Sequence, residues 1–507
     1  MSVCSQPNPT SFATPEHIDT LVFRTTCFVL CTLAIAPFWV GEYMPMVDLP
    51  QHAAQLAIDA SWHDLSSIYH KVYHVNWHTN QLFAYSFVRL FEHVVPLVPA
   101  IKLVLTLSVL ELALAVYWLV RSLGGNTWWS LLALPLGYSF SLYWGFFNYV
   151  VALPFGIGLI VLSTRYALAP SWRKALVILV WTNVLFFAHA LILAYAGLVS
   201  AALIAARAKR FKAKLVGGLA LATVLPTVFV WWHVIQSNEA STTATEVVTD
   251  WGFFRLRAFF NMQIGNACDD NWDAFLGIVL LSLPFAIGAR FSRELWRYIP
   301  FALTWTLFMV LPFSALEVAF IFERFAVFAL PSLLFALEPK PAPPAGRALA
   351  VSLVAAQLVS VGLRFKDFDE EAQPLNVVLK AAEPNRRVLY LPTENTSHVT
   401  WGGPYAHFGC WYQVKRGGLI DFSFAEYFPM WYRYNPDEDP PLPADFDEYA
   451  HKFRWREHNG PRYDYFLVRG PLGPEWLTGT TVELVPIAKA AEWTLWSWRD
   501  AATVARQ

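Results

Sequence analysis

Residues 21–40 read LVFRTTCFVLCTLAIAPFWV, and residues 41–52 follow directly as GEYMPMVDLPQH. The first stretch is long and apolar enough to cross a bilayer as a helix. The second stretch places Glu42, Asp48 and His52 at the mouth of that helix, where ionisable groups are costly unless they face water or have a role. This juxtaposition predicts acid–base chemistry at a membrane surface.

The composition of the whole chain is that of a membrane protein. Of its 507 residues, 56% are hydrophobic and only 15% are charged, whereas a soluble protein carries about 25% charged residues. The mean hydropathy is +0.39. The net charge of -1 gives no basic field of the kind that binds nucleic acid. We therefore expect an integral membrane protein with no nucleic-acid partner.

The opening apolar run is predicted to stay as an uncleaved membrane helix. No Lys or Arg precedes it, so the basic region that begins a secretory signal is missing. Ala34-Ile35-Ala36 is a plausible cleavage tripeptide, but Pro37 follows it and disfavours cleavage.

Apolar runs of membrane-spanning length recur along the chain, and about eleven spans are predicted. Several of them are short. They lie near residues 21–40, 97–120, 127–145, 148–168, 174–189, 190–206, 215–235, 274–290, 298–313, 325–337 and 347–363.

Basic residues in the connections orient these spans, because Lys and Arg collect on the cytoplasmic side. With eleven spans and a cytoplasmic N-terminus, every basic group falls on the cytoplasmic side. This topology requires two spans within residues 174–206; a single span there would break it. The groups are Arg121; Arg165, Arg173 and Lys174; Arg207, Lys209, Arg210, Lys212 and Lys214; Arg290, Arg293 and Arg297; and Lys340 and Arg347.

The chain divides into two predicted domains. Residues 1–363 form a mostly α, polytopic membrane domain with a long first outer loop over residues 41–96, whose apolar spacing predicts helices lying on the membrane surface. Residues 364–507 are richer in Pro, Asp, Glu, Arg and Tyr and contain short strand patterns. They predict a small α/β or α+β domain outside the membrane, with strands at residues 388–391, 465–468 and 492–499.

Asp48 is the leading candidate for chemistry. Because Pro50 follows it at the start of a helical pattern, the carboxylate could be a helix cap. Alternatively it is a general base, or it orients an acceptor hydroxyl, at the membrane boundary. His52 lies one helical turn further on the same face and could assist it.

An acidic outer loop after the first helix, many short spans and an outer soluble domain together resemble the type C superfamily of membrane glycosyltransferases. The resemblance implies an inverting enzyme that transfers a sugar from a polyprenyl phosphate to a glycan, lipid or protein acceptor. It implies a catalytic role for Asp48, with Glu42 and His52 tuning it or binding sugar. It also implies the bacterial inner membrane, with the N-terminus cytoplasmic and the C-terminal domain periplasmic.

Further residues on the predicted outer side could complete such a site. Arg324 is the first candidate for binding the carrier phosphate, because arginine forms charge-assisted hydrogen bonds with phosphate; Arg255 and Arg257 are secondary candidates. Aromatic and polar residues could line a substrate cavity, although an interfacial girdle, a packed histidine or a local ion pair also explains them. They are Trp144, Asn148, Tyr149, His189 and Glu323.

No metal site or cofactor is predicted, although Asp269, Asp270 and Asp273 are compatible with a divalent cation. Cys268 and Cys410 could form a disulfide outside the cell. Two other classes of function remain open. One is a transporter or lipid flippase. The other is an inactive scaffold with the same architecture, because Leu49 stands where the superfamily usually has a second acid.

Overall fold

The computed structural model describes residues 15–79, 81–238, 247–265, 270–315, 318–426, 430–435, 449–473 and 475–500. Most of this chain is helical. The helices up to residue 335 are α1 Pro15–Ile35, α2 Leu49–Trp62, α3 Ile68–Val72, α4 Leu82–Glu92, α5 Leu97–Ser122, α6 Ala133–Leu136, α7 Phe140–Trp144, α8 Phe147–Leu168, α9 Trp172–Ala188, α10 Ala190–Arg207, α11 Phe211–Ala222, α12 Leu225–Asn238, α13 Phe254–Asn261, α14 Asp270–Ala286, α15 Ile299–Val310 and α16 Ala329–Phe335. Those that follow are α17 Pro344–Ala372, α18 Pro374–Ala381 and α19 Cys410–Arg416.

Six helical stretches in the described ranges are long and apolar enough to cross a membrane, which agrees with the membrane class predicted from composition. The predicted count of eleven is not confirmed, because several of the other apolar runs form shorter or interrupted helices. Residues 127–145, for example, divide into a 3-10 helix, α6 and α7. The six stretches are Asp19–Trp39, Leu97–Ser122, Phe147–Leu168, Ala190–Arg207, Phe211–Val234 and Pro344–Ala381.

The run at residues 174–206 forms two helices. Helix α9 ends at Ala188 and α10 begins at Ala190, with His189 between them in an extended conformation (φ -169°). The two helices pack together and against α8. At one crossing, a Cβ added to Gly156 of α8 would lie 2.5 Å from the Ile192 side chain of α10, so the missing side chain allows this close approach.

Short strands occur in both halves of the molecule, and a five-stranded sheet forms the C-terminal domain. The strands are β1 Tyr73–Val75, β2 Ala289–Phe291, β3 Leu337–Pro339, β4 Arg387–Pro392, β5 Leu419–Asp421, β6 Tyr432–Tyr434, β7 Tyr465–Arg469, β8 Val482–Ala490 and β9 Trp493–Asp500. The sheet has the order β5-β4-β7-β9-β8, with β4 parallel to both β5 and β7. The three strand patterns predicted near residues 388, 465 and 492 correspond to β4, β7 and β9.

The loop of residues 41–96 packs into the C-terminal domain. Strand β1 of the loop pairs antiparallel with β6, and α2 packs against α19. Helix α2 was predicted to lie on the membrane surface, and this is corrected: Leu49 through Leu56 are all buried. Its apolar residues are covered by protein because the C-terminal domain folds over them.

The same interface is fixed by two glutamines one turn apart on α2. The Gln51 side chain donates to the carbonyl O of Phe422 (3.1 Å) and accepts from the N–H of Phe424 (3.0 Å). The Gln55 side chain donates to the carbonyl O of Tyr432 (3.1 Å) and accepts from the N–H of the same residue (2.8 Å). Each amide thus satisfies backbone groups that would otherwise be buried without partners.

Candidate functional site

Asp48 lies at the first turn of α2, but its carboxylate does not cap the helix. It occupies the N-cap position, Pro50 follows in the first turn, and no side-chain capping bond forms. One carboxylate oxygen, Oδ1, instead lies 3.4 Å from Nε2 of His407 in the C-terminal domain. Both residues are buried, with exposed fractions of 9% and 5%. The carboxylate therefore lies between the membrane helices and the C-terminal domain.

The backbone of Asp48 is hydrogen-bonded to the turn between α7 and α8. The chain reverses direction in this turn, and we call residues 143–149 the reversal. The N–H of Val47 donates to the carbonyl O of Tyr143, and that of Asp48 donates to Trp144, each at 3.0 Å. Gly145 follows with φ +91°, and a Cβ added there would lie 2.5 Å from the Asp48 nitrogen. Only glycine permits both this backbone angle and this contact.

Arg324 lies on the other side of the same reversal. Its guanidinium lies over the Phe146 ring, 3.6 Å from the centroid, and the Tyr149 hydroxyl donates to its carbonyl O at 2.5 Å. Burial lowers the pKa of Arg324 to about 10, opposed by Tyr149, Asp48 and Glu323. The side chain is thus a cation at neutral pH and lies within electrostatic range of the Asp48 carboxylate.

The other two predicted arginines are placed differently. Arg255 is buried, and its Nη1 donates to the carbonyl oxygens of Phe308, Met309 and Leu311 at the end of α15. It thereby satisfies carbonyls that a helix end leaves without partners. Arg257 is exposed, with Nη1 3.4 Å from Asn271 Oδ1. The structure therefore gives Arg255 a structural role and does not bring Arg257 to Asp48.

Glu42 and His52 have partners of their own. Glu42 pairs with Lys415 at 2.6 Å and accepts from Asn376 at 3.1 Å. Burial raises the pKa of Glu42, but the hydrogen bond and charge of Lys415 outweigh it, so the net shift is downward.

His52 Nδ1 lies 2.7 Å from the Tyr85 hydroxyl. Burial lowers the pKa of His52 to about 4 although the Asp48 charge opposes it, so the imidazole is neutral at pH 7. It lies in the field of Asp48 but hydrogen-bonds elsewhere.

Three of the predicted cavity residues, Trp144, Asn148 and Tyr149, belong to the reversal of residues 143–149. The Trp144 ring packs on Phe320 at 4.0 Å, and the Tyr149 and His189 rings meet edge to face at 5.1 Å. Asn148 lies in the first turn of α8, and its amide donates to Gln81 at 3.2 Å.

Glu323 is the buried neighbour of Arg324 in a short 3-10 helix, Glu323–Phe328. Burial raises the pKa of its carboxyl to about 8, although Arg255 and Arg324 oppose the shift. At neutral pH this acid therefore carries its proton, and it does not form the ion pair with Arg324 that the adjacent sequence positions suggest.

Cys268 and Asp269 lie outside the described residues, and Cys410 is a buried free thiol. The proposed disulfide therefore stays a prediction. Within the ranges that the structure describes, His, Cys, Asp and Glu side chains do not gather in threes as a metal site would need.

The sequence did not point to His407, or to the small cavity that it lines in the C-terminal domain. His407 stands alone among turn-forming residues (GGPYAHFGC), and nothing in that pattern links it to Asp48. Gln51, which also lines the cavity, was visible only as one polar residue on an amphipathic helix.

The geometry thus brings together Asp48, His407, Arg324 and the reversal of residues 143–149. Comparison with known proteins adds no family to this description: no protein-family model matches the chain, and no curated protein is significantly similar to it.

Proposed function

We propose that the protein is a membrane glycosyltransferase that moves a sugar from a polyprenyl-phosphate carrier to an extracytoplasmic acceptor. The observation that supports this most is the position of the Asp48 carboxylate. It is buried beside His407, it does not cap its helix, and it lies in the field of the Arg324 cation. An acid, a positioning group and a cation at a membrane boundary are the groups that such a transfer needs.

In the proposed reaction, Asp48 takes the proton of the acceptor hydroxyl as the acceptor oxygen bonds to the anomeric carbon of the donor sugar. The bond between that carbon and the phosphate oxygen breaks, and the electron pair leaves with the phosphate. Attack from the side opposite the phosphate inverts the anomeric configuration. No oxidant, reductant or further reactant is required.

Arg324 stabilises the leaving phosphate. Negative charge grows on the phosphate as the glycosidic bond breaks, and a fixed cation in a partly buried site stabilises that charge more than water would. The Phe146 ring beneath the guanidinium holds it in place through a cation–π contact. His407 positions the Asp48 carboxylate for the acceptor.

The cellular arrangement belongs to the same proposal. We propose a bacterial inner-membrane protein with about eleven spans, a cytoplasmic N-terminus and a periplasmic C-terminal domain. The acceptor is a glycan, a lipid or a protein on the outer side. Glu42, His52 and the residues lining the reversal shape the site around Asp48 in this scheme.

Sugar transfer from extracted lipid-linked donors tests the proposal. We expect Asp48→Asn to lower turnover by at least about a hundredfold, because the amide cannot accept the proton. Asp64→Asn is the matched control, since Asp64 lies in the same loop but is exposed, and its carboxylate accepts from Ser66. Arg324→Gln should also abolish most of the transfer. Unchanged turnover in Asp48→Asn would contradict the mechanism.

A further inference from the structure

A long stretch of the chain without acidic residues carries a dense group of cations. Residues 112–238 contain nine Lys and Arg but no Asp or Glu. Five of the nine cations lie within residues 207–214, where α10 ends and α11 begins. We call residues 207–214 the basic segment. Its cations are Arg207, Lys209, Arg210, Lys212 and Lys214.

The tertiary structure does not neutralise the basic segment. Among the described residues, none of its five cationic side chains forms an ion pair or a hydrogen bond with a protein group. The Arg207 guanidinium lies over the Trp296 ring, 5.6 Å from its centroid. Near that ring, Glu338 already pairs with two arginines, and Glu294 is exposed beside Arg297. The segment therefore keeps a surplus of positive charge.

The basic segment lies at the membrane face opposite the candidate site. Helix α10 begins beside the reversal, since the ring of His189 contacts that of Tyr149. The helix is a candidate membrane span of 18 residues, which is about 27 Å long and close to the thickness of the hydrocarbon core. Arg207 at its far end is therefore remote from Arg324, the residue proposed to bind the carrier phosphate.

An exposed apolar stripe continues from the basic segment along α11. Phe211, Leu215 and Leu219 are 80%, 52% and 59% exposed. They are four residues apart, so they share one face of the helix. Because residues Phe211–Val234 are a candidate membrane span, this face is suited to contact acyl chains. Cations at one end and an apolar stripe beyond them match a ligand with an anionic head and an apolar tail.

We propose that the basic segment and the stripe bind an anionic phospholipid of the leaflet on that side. The lipid phosphate accepts charge-assisted hydrogen bonds from Arg207 and Arg210, and an acyl chain lies along Phe211 and Leu215. Basic segments next to a membrane helix attract anionic headgroups in this way. A soluble polyanion would use the cations but not the stripe. The inference does not depend on the proposed sugar transfer.

Native mass spectrometry of the full-length protein in a neutral detergent measures the binding. The probes are phosphatidylglycerol and phosphatidylcholine with the same acyl chains. We expect phosphatidylglycerol to bind at least about tenfold more tightly, because its headgroup has a net negative charge. Glycerol 3-phosphate carries a phosphate without acyl chains. It should not displace phosphatidylglycerol at the same concentration, since it cannot contact the stripe.

Substitutions in the basic segment locate the site. Arg210→Gln and Lys212→Gln should each weaken phosphatidylglycerol binding about fivefold, which is about 1 kcal/mol for each cation. Phe211→Ala should weaken the binding of both lipids several-fold, because it removes an exposed ring from the stripe. Arg121→Gln is the matched control. Arg121 is an exposed arginine at the end of α5, on the same predicted side of the membrane, and its loss should leave binding unchanged.

Three results would overturn the inference. The first is equal affinity for the two lipids. The second is binding that is unchanged in Arg210→Gln and Lys212→Gln, or weakened equally in Arg121→Gln. The third is displacement of phosphatidylglycerol by polyglutamate with no effect of Phe211→Ala, which would indicate a site for soluble polyanions. Lipid binding by an unaltered protein that transfers no sugar would support this site and contradict the proposed function.

Discussion

Nε2 of His407 lies 3.4 Å from Oδ1 of Asp48. This contact connects the loop after the first helix with the C-terminal domain. Asp48 follows the first membrane helix, and His407 lies in the loop that precedes α19 of the C-terminal domain. Because both side chains are buried, any displacement of the C-terminal domain changes the surroundings of the carboxylate.

We expect His407 to act through the position of Asp48. His407→Ala should lower the turnover number of transfer by about ten- to a hundredfold, because a small misplacement of a catalytic group costs up to about a hundredfold. The KM for the lipid donor should not change. His407→Gln keeps a hydrogen-bond donor and should recover much of the rate. His398→Ala, an exposed histidine of the same region, is the control. Equal losses in the Ala and Gln variants would argue against positioning.

Gly145→Ala should destabilise the protein and displace Asp48. The substitution meets a φ of +91° and a contact of 2.5 Å with the Asp48 nitrogen; backbone strain of this kind costs about 1–3 kcal/mol. Thermal unfolding of the purified protein measures the loss.

A matched control for Gly145 is Gly197→Ala. Gly197 lies inside α10 with no heavy atom within 4 Å of an added Cβ. Alanine is preferred to glycine by about 0.5–1 kcal/mol within a helix, so this variant should be slightly stabilised. A Gly145→Ala protein as stable as the Gly197→Ala protein would show that Asp48 does not depend on the reversal.

Gln55→Leu should loosen the C-terminal domain from the loop of residues 41–96. The substitution leaves the N–H and carbonyl O of Tyr432 buried without partners, which costs about 1–3 kcal/mol for each group. Hydrogen exchange at residues 430–435 should accelerate, and the unfolding temperature should fall. Ser86→Ala, which removes only an exposed bond within α4, should have almost no effect. Unchanged exchange at β6 would mean that Gln55 does not hold the interface.

The stability of the protein should fall in mild acid because of His52. The pKa of His52 is about 4 in the folded protein, against an ordinary value of 6.5, so the unfolded chain binds the proton first. The stabilising contribution is complete above pH 6.5 and is lost as the pH falls towards 4, by about 3 kcal/mol. Unfolding temperatures measured across this pH range report the loss.

His52→Gln should flatten that pH dependence, because glutamine has no proton to gain and can still accept a hydrogen bond from the Tyr85 hydroxyl. His63→Gln, an exposed histidine at the end of the same helix, should leave the dependence as it is. A His52→Gln protein that loses as much stability in acid as the unaltered one would place the sensitivity at another group.

Local patterns predicted the classes of element better than their arrangement. Apolar length predicted membrane helices. Short apolar runs between turn formers predicted β4 and β7, and an alternating pattern predicted β9. Helix α2 was assigned to the membrane surface because its apolar spacing is the same whether lipid or protein covers it. The predicted count of eleven spans is not confirmed, because apolar length does not show whether a run forms one continuous helix. Residues 127–145 are apolar enough for one span, but they fold as three short helices.

In the candidate site, too, the sequence predicted individual residues but not how they are arranged. Arg324 and Asp48 were chosen for their place at the ends of apolar runs, and the structure sets them on two sides of one reversal. Arg255 was chosen as a secondary cation in the 236–273 loop, yet its guanidinium binds the carbonyls at the end of α15. The residue type alone does not distinguish an arginine that lies near Asp48 from one that completes a helix end.

What the sequence by itself determined is a membrane-embedded, mostly helical chain with a strand-containing C-terminal region and an acid just after its first helix, because apolar length and side-chain periodicity are local properties. Only the tertiary structure decided that His407 meets Asp48, that Gln51 and Gln55 hold the C-terminal domain, and that a small cavity opens at the carboxyl ends of β4 and β5. These contacts join residues hundreds of positions apart, and no local pattern encodes which distant surface will pack against a given side chain.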